Sequence, residues 1–285
     1  MSRPGEHPPI PNLPTGSPQM SRASRQASGA SFTRAGGDYH AVRPGYPAWV
    51  TGFFLHGAAG EEQTDVPAEP GSGRRASGPI TALDLGAGTG LYTRDLVAAG
   101  LQVTALEPSD SMRAVLAQEL PQVALSSATA EDTGLDSSSF DLVTVAQAWH
   151  WMDRDAASAE IVRLLRTGGV LGLVWNQLDV TVPWVHRLAR IMHSGDVQRD
   201  PATAAAVGPG FGPAQVRQQR WSDTVTPEKI VALCHSRSYW LKSSEAIRSK
   251  VDANLTWYLH EHLGHAPGEA LRLPYDTLAV RYVLA

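Results

Sequence analysis

The chain has 285 residues, 42% of them hydrophobic and only 18% charged, with a formal net charge of -4. At roughly 150 residues per domain that allows one large domain or two small ones, and the weakly acidic balance offers no electrostatic footprint for nucleic acid or an anionic membrane surface. A single cysteine, Cys234, excludes an internal disulfide and a multi-cysteine zinc site and fits a reducing cytoplasm, and no apolar run approaches the ~20 residues needed to span a bilayer.

Residues 1–31 are rich in Pro, Ser, Gly and Arg and almost devoid of large apolar side chains. Such a segment cannot bury enough surface to offset its ordering entropy, so a disordered tail is expected. Order should begin at Phe32, with an apolar stretch from Tyr46 to Phe54. A second breaker-rich segment, from about Gly57 to Gly78, reads as an exposed loop before the main sheet.

From Ile80 to Trp175 short β-like runs alternate with helical ones. Ile80 to Leu85, Val103 to Leu106, Val123 to Leu125, Leu142 to Val145 and Val170 to Trp175 are the expected strands. Tyr92 to Ala99, Ser111 to Leu120 and Ala156 to Leu165 are the expected helices. This succession implies βαβ units and an α/β fold whose parallel sheet is covered on both faces.

The last hundred residues read differently. Val185, Leu188 and Met192 share a helical face, and a Gly/Pro-rich stretch follows to about Gly212. Thr226-Pro227 has the form of an N-cap with proline at the first helical position. Ile247, Val251, Leu255, Tyr258 or Leu259, and His262 or Leu263 trace a long stripe closed by Gly264. Leu271 to Leu284 alternates loosely, as a strand returning to the sheet would.

The chemistry is concentrated in ALDLGAGTG, which holds Asp84, Gly86, Gly88 and Gly90 between a strand and a helix. That is the context of a nucleotide-binding turn, because glycines let the backbone bend sharply and approach a ligand. The next strand ends in Glu107, 21 residues beyond Gly86, where a carboxylate can accept hydrogen bonds from ribose hydroxyls. A dinucleotide turn prefers G-x-G-x-x-G, but Leu91 stands at the third glycine's place. The observed spacing favours an adenosyl group carrying an amino acid, with no pyrophosphate to cradle. A dinucleotide oxidoreductase and a non-catalytic binding protein stay open on these residues alone.

Taken with Tyr39, Arg43-Pro44-Gly45-Tyr46-Pro47, LEPSDSM, ATAED, FDLVTVAQAWHWMD, LLRTGGVLGLVW, SRSYW and LPYDT, in this order, the sequence resembles the class I S-adenosylmethionine-dependent methyltransferases, nearest to a small-molecule group. The resemblance covers most of residues 32–285 except the segment around 57–78, which looks like an insertion. It implies a Rossmann-like, doubly wound, mostly parallel seven-stranded sheet with a C-terminal helical lid. Residues 32–285 would be one methyltransferase domain, with 80–178 the cofactor-binding half and 179–285 the acceptor lid and last strands.

The resemblance also implies site roles. Gly86, Gly88 and Gly90 would form the turn beside the methionine part of S-adenosylmethionine, with Asp84 supporting the turn or the cofactor's ammonium. Glu107 would bind the ribose hydroxyls. Pro108 and Met112 would shape the adenine pocket, and the Thr129-Ala130-Glu131 turn would meet the adenine edge through a backbone donor and the Glu131 carboxylate. Gln147 would line the methyl group, while Tyr39 and Arg43 would close over the cofactor. The partner would be a small-molecule methyl acceptor, with no nucleic acid and no membrane. Thr167 replaces a proline usual in the family, and the Gly134-Leu135 stretch lacks its usual Leu-Pro-Phe.

His150, between Trp149 and Trp151, follows the fourth strand on the expected acceptor side. A general base, an acceptor-orienting group and a structural hydrogen bonder are all consistent with that position. His260, His262 and His265 do not match H-E-x-x-H, since Gly264 falls where the second histidine belongs, and read as a solvated helix end without metal. Cys234 lacks partners for nucleophilic catalysis and reads as a buried small hydrophobe.

Overall fold

Alternation along the strands divides the interior into two layers around one sheet. In the computed structural model, which describes residues 40–57, 78–193 and 205–285, Leu83 and Leu85 of β1 (Thr81–Leu85) face one side, with Val143, Val145, Leu171 and Leu173. Ala82 faces the other, with Leu142, Val170 and Val174. Side chains of successive strand residues point to opposite faces, so both faces must be covered.

The remaining strands are β2 (Gln102–Leu106), β3 (Ala124–Ser126), β4 (Phe140–Ala146), β5 (Leu165–Leu178), β6 (Gln215–Val225) and β7 (Leu271–Val283). They form one seven-stranded sheet in the order β3-β2-β1-β4-β5-β7-β6. The first five pair parallel, and β7 pairs antiparallel with both β5 and β6. The chain therefore turns outward in one direction from β1 and then restarts on β1's other edge at β4. Carboxyl ends at such a reversal border a ligand crevice.

Helix α1 (Trp49–His56), α2 (Leu91–Ala98) and α3 (Asp110–Glu119) cover one face, through Val50, Phe53, Phe54, Tyr92, Leu96 and Leu116. Helix α4 (Arg154–Leu164) covers the other, through Ala157, Ile161 and Leu164. Each fully buried Leu, Ile or Phe contributes about 1.5–3 kcal/mol. Arg281 Nε donates to Phe54 O at 2.9 Å and so ties the end of α1 to β7.

A third core lies where β5, β6 and β7 run beyond the parallel strands. Val185, Leu188 and Met192, in and just after α5 (Pro183–Ile191), meet Ile230 and Leu233 of α6 (Pro227–His235) there. Val251 and Leu255 of α8 (Glu245–Thr256) join them over Leu273 and Tyr275 of β7. Thr226 Oγ1 accepts from Lys229 N at 3.3 Å with Pro227 at the first turn, the cap expected from Thr-Pro.

One expectation needs correcting here. Ile247 belongs by periodicity to the stripe of α8, whose Val251 and Leu255 are buried, but is itself 42% exposed. It sits in that helix's first turns, and the short α7 (Ser238–Lys242) before it buries no side chain. The histidines do lie at a helix end, His262 exposed and His260 and His265 half-buried, and the turn is held by local contacts. Residues Trp257–His262 form a π-helical turn, and His260 Nδ1 donates to His265 O at 2.7 Å. His262 stacks on Trp257 and Tyr258. Among the described residues no group of three His, Cys, Asp or Glu could hold a metal ion, and no helix is long and apolar enough to cross a membrane. The tail, the 57–78 segment beyond Gly57 and before Gly78, and Tyr39 lie outside the described residues.

Candidate functional site

The crevice opens where β1 ends. Gly86 N and Ala87 N both donate to Leu106 O, at 2.8 and 3.0 Å, which folds the chain sharply back across β2. Gly86 has φ +67°, and a Cβ there would lie 2.8 Å from Ala148 Cβ. Gly88 has φ +59°, but the nearest atom to its imagined Cβ is Met112 Sδ at 3.9 Å. Glycine is thus required at Gly86 by the neighbouring segment, while Gly88 faces open space rimmed by a thioether.

Asp84 points away from that space. Its carboxylate is fully buried, with Oδ2 accepting from Thr93 Oγ1 at 2.7 Å and Oδ1 from Thr144 Oγ1 at 3.0 Å. Burial pushes its pKa up to about 6, against the two hydroxyl donors that lower it, and the Glu107 charge adds to the rise. Both oxygens are engaged in joining β1, α2 and β4.

Glu107 leaves β2 on the crevice side. Gly88 N donates to its Oε2 at 2.9 Å and Ser109 N to its Oε1 at 2.7 Å. Burial holds its pKa above the usual carboxylate range, opposed by those two amides and by the Arg113 charge. Each carboxylate oxygen can accept more than one hydrogen bond, so both retain capacity for a ligand's hydroxyls. Met112 is buried beside Gly88, whereas Pro108 is exposed with its carbonyl accepting from Arg113 Nη1. Thr89 Oγ1, in the turn itself, is buried without a hydrogen-bond partner among the described residues.

The end of β4 forms the opposite wall. Gln147 is left-handed at φ +58°, rare for a side chain with a Cβ. Its N donates to Val174 O at 2.9 Å, and its Nε2 donates to Asn176 O at 2.6 Å. Asn176 Nδ2 in turn donates to Gly45 O at 2.9 Å, and Arg43 Nη2 donates to Ser236 O at 3.0 Å. The 43–45 segment therefore spans from the sheet to the turn between α6 and α7.

Trp149 is fully buried, and its indole Nε1 donates to Ala206 O at 3.1 Å. His150 is half-buried, with its ring 4.6 Å from that of Trp151. Glu131 Oε1 accepts from Asp153 N at 2.9 Å, at the start of α4, and Ala130 is buried beside it. Cys234 lies in the third core, and burial pushes its thiol up to about 12, so it is inert at neutral pH.

Two residues of the crevice were not singled out in the sequence. His40 Nδ1 donates to Thr89 O at 3.1 Å, bringing the N-terminal segment onto the glycine turn. Asn176 carried a visible signal, as a polar residue inside the apolar run LGLVWNQL.

The donor set fits an adenosyl ligand bearing an amino acid. It combines a buried carboxylate, a backbone turn open at Gly88, an apolar thioether rim, and Leu91 opening α2 where a pyrophosphate-binding turn wants glycine. A methyltransferase-domain family model matches residues 83–173. An uncharacterized methyltransferase of Mycobacterium tuberculosis is 39% identical over 263 residues, covering 92% of this chain and 99% of that protein. An uncharacterized methyltransferase-like protein of Schizosaccharomyces pombe is 32% identical over 254 residues, covering 85% and 91%. A solved methyltransferase structure from Anaeromyxobacter dehalogenans shares the fold with a TM-score of 0.57 at 23% identity, covering 85% of this chain and 97% of that one. On the sheet order, the glycine turn and these relatives, the chain belongs to the class I S-adenosylmethionine-dependent methyltransferases.

Proposed function

We propose that this methyltransferase modifies a small-molecule acceptor in the cytoplasm, with residues 32–285 forming one domain. Residues 80–178 are its cofactor-binding half, and 179–285 supply the acceptor lid and the last strands. The observation that carries the cofactor-binding part of this reading is the buried Glu107 carboxylate, which accepts a hydrogen bond from the amide of Gly88.

When bound, S-adenosylmethionine supplies a methyl group on a sulfonium already activated for in-line displacement. The protein's remaining tasks are alignment and exclusion of water. Glu107 would hold the ribose hydroxyls, Met112 and Pro108 would flank the adenine, and Ala130 with Glu131 would meet its edge. Gly86, Gly88 and Gly90 give the amino-acid end its backbone surface, while Asp84 keeps the turn in place from beneath. Gln147 would line the methyl side, and Tyr39 and Arg43 would close over the ligand. His150 stands on the acceptor side, where its imidazole takes the proton released by the acceptor or fixes the acceptor's orientation.

Two features support a small acceptor. The 43–45 segment is bonded both to Asn176, near the end of β5, and to the α6–α7 turn, an arrangement suited to enclosing a small acceptor. The net charge of -4 gives no surplus of cations for a polyanion. The test is incubation with methyl-labelled S-adenosylmethionine and a mixture of small hydroxyl, amine and carboxylic acid compounds, in parallel with protein and nucleic acid. Label in the small-molecule fraction supports the reading; label confined to a macromolecular fraction contradicts it.

A further inference from the structure

Asn176 occupies a position where the sheet loses a strand. The last parallel pair between β4 and β5 is Ala146 with Val174, after which β4 turns away at Gln147. Strand β5 continues, paired only with β7 on its other side, where Asn176 stands opposite Thr277. The Asn176 carbonyl would lose its ladder partner on the β4 side, and the Gln147 side-chain amide replaces it at 2.6 Å. A side chain thus extends the sheet by one bond beyond the backbone of β4.

The Asn176 side chain is equally constrained. It is buried on the face shared with Val174, two residues earlier, beneath the 43–45 segment. Its amide orientation follows from a chain of donors. Trp221 Nε1 can only donate, and it donates to Thr277 Oγ1 at 2.7 Å. The Thr277 hydroxyl keeps its own proton to give, and it donates to Asn176 Oδ1 at 2.5 Å. The Gly45 carbonyl can only accept, so Nδ2 faces it and donates at 2.9 Å, which leaves Oδ1 toward the Thr277 hydroxyl. Strands β6, β7 and β5 pass one direction of hydrogen bonding to the N-terminal segment.

We infer that Asn176 is a positioning residue for methyl transfer: its backbone carbonyl fixes Gln147 on the methyl side while its side-chain amide fixes the 43–45 segment above the same crevice. The two walls are thereby set relative to one another by one residue that need touch neither cofactor nor acceptor. A buried network with every member satisfied is rigid, and a single reversed donor within it is costly. Asparagine is specified over aspartate because aspartate would set a carboxylate oxygen against the Gly45 carbonyl and offer no proton.

This inference rests on the reading that the crevice binds S-adenosylmethionine, and its test separates the two. The full chain and its Asn176→Asp, Thr277→Val and Thr277→Ser variants are compared by calorimetry with S-adenosylhomocysteine. Amide hydrogen exchange over residues 40–50 and 84–92 is followed with and without that ligand. Asn176→Asp should bind about tenfold more weakly, the scale of one lost buried hydrogen bond. It should lose the ligand-induced protection of residues 40–50 while keeping that of 84–92. Thr277→Val, nearly isosteric, should move the same way, and it decides the matter if Asn176→Asp does not fold. Thr277→Ser keeps the hydroxyl and should behave as the unaltered chain. Unchanged protection of residues 40–50 in both Asn176→Asp and Thr277→Val would overturn the positioning role while leaving the cofactor site intact. Absence of ligand binding by the unaltered chain would instead overturn the site reading itself.

Discussion

Gly88 donates its backbone N–H to Glu107 Oε2 at 2.9 Å, so the turn after β1 and the carboxylate after β2 form one hydrogen-bonded unit. Ser109 N holds the second oxygen from the other side. Two adjacent parallel strands thus deliver a carboxylate and a side-chain-free backbone to the same place, already oriented. A ligand recognised there meets little reorganisation cost, which is the physical meaning of a preorganised site.

The two glycines of this turn should fail differently. An L-residue in the left-handed region costs roughly 1–2 kcal/mol, and Gly86→Ala adds a contact of 2.8 Å with Ala148 Cβ. Gly88→Ala carries the backbone cost alone, since only Met112 Sδ comes within 4 Å of the new methyl, at 3.9 Å. Thermal denaturation should therefore show the larger drop for Gly86→Ala. Calorimetry should show Gly88→Ala losing cofactor affinity out of proportion to its stability, because the methyl enters the ligand's space. Equal stability losses with unchanged affinity for Gly88→Ala would place the ligand elsewhere.

Asp84 should make the fold pH-dependent. Its pKa rises from 3.8 unfolded to about 6 folded, so between those values the native state binds the extra proton. Its contribution to stability is complete below about pH 4 and is lost as pH rises through 6. The shift corresponds to something on the order of 3 kcal/mol. Asp84→Asn keeps hydrogen bonding to the Thr93 and Thr144 hydroxyls without the charge. Urea denaturation at pH 4 and pH 7.5 should show the variant gaining on the unaltered chain by that order as pH rises. A constant difference would mean that the carboxylate is better solvated than its burial implies.

His150 should separate chemistry from binding. His150→Ala should leave S-adenosylhomocysteine affinity near its original value, because the residue lies after β4 rather than at the Glu107 turn. If the imidazole takes the acceptor's proton, methyl transfer should fall roughly 10²–10⁴-fold and the rate limb near an imidazole pKa should vanish. If it only orients the acceptor, a smaller loss should appear mainly in the acceptor's KM. Full activity with an unaltered pH profile would reduce His150 to a packing partner of Trp151.

The parallel half of the fold was legible because its strands obey simple patterns. ALDL and LVTV place apolar residues on both faces, as strands covered by helices on each side must. Strand β6 was not legible. Its sequence QVRQQRWSDTV lies at the sheet edge with most residues exposed, so no apolar alternation marks it. Ile247 misled for the opposite reason, since helical periodicity shows which face is apolar and not whether anything covers it. In the crevice, the glycines and Glu107 stood out by spacing from a strand end. Asn176 and His40 act through contacts with Gly45 and Thr89, 131 and 49 residues away in sequence, and no local pattern encodes those.

The measurement that bears most directly on the whole account is calorimetric titration of the unaltered chain and its Glu107→Ala variant with S-adenosylhomocysteine and, separately, with NAD. On the proposed role of Glu107, removing the carboxylate would delete two charge-assisted hydrogen bonds to ribose, about 1.5–3 kcal/mol each when fully formed. The account predicts binding of S-adenosylhomocysteine to the unaltered chain, no binding of NAD, and a loss of roughly 10²-fold or more in a Glu107→Ala variant that stays folded. Equal S-adenosylhomocysteine affinity in the two proteins, or binding of NAD in its place, would contradict it.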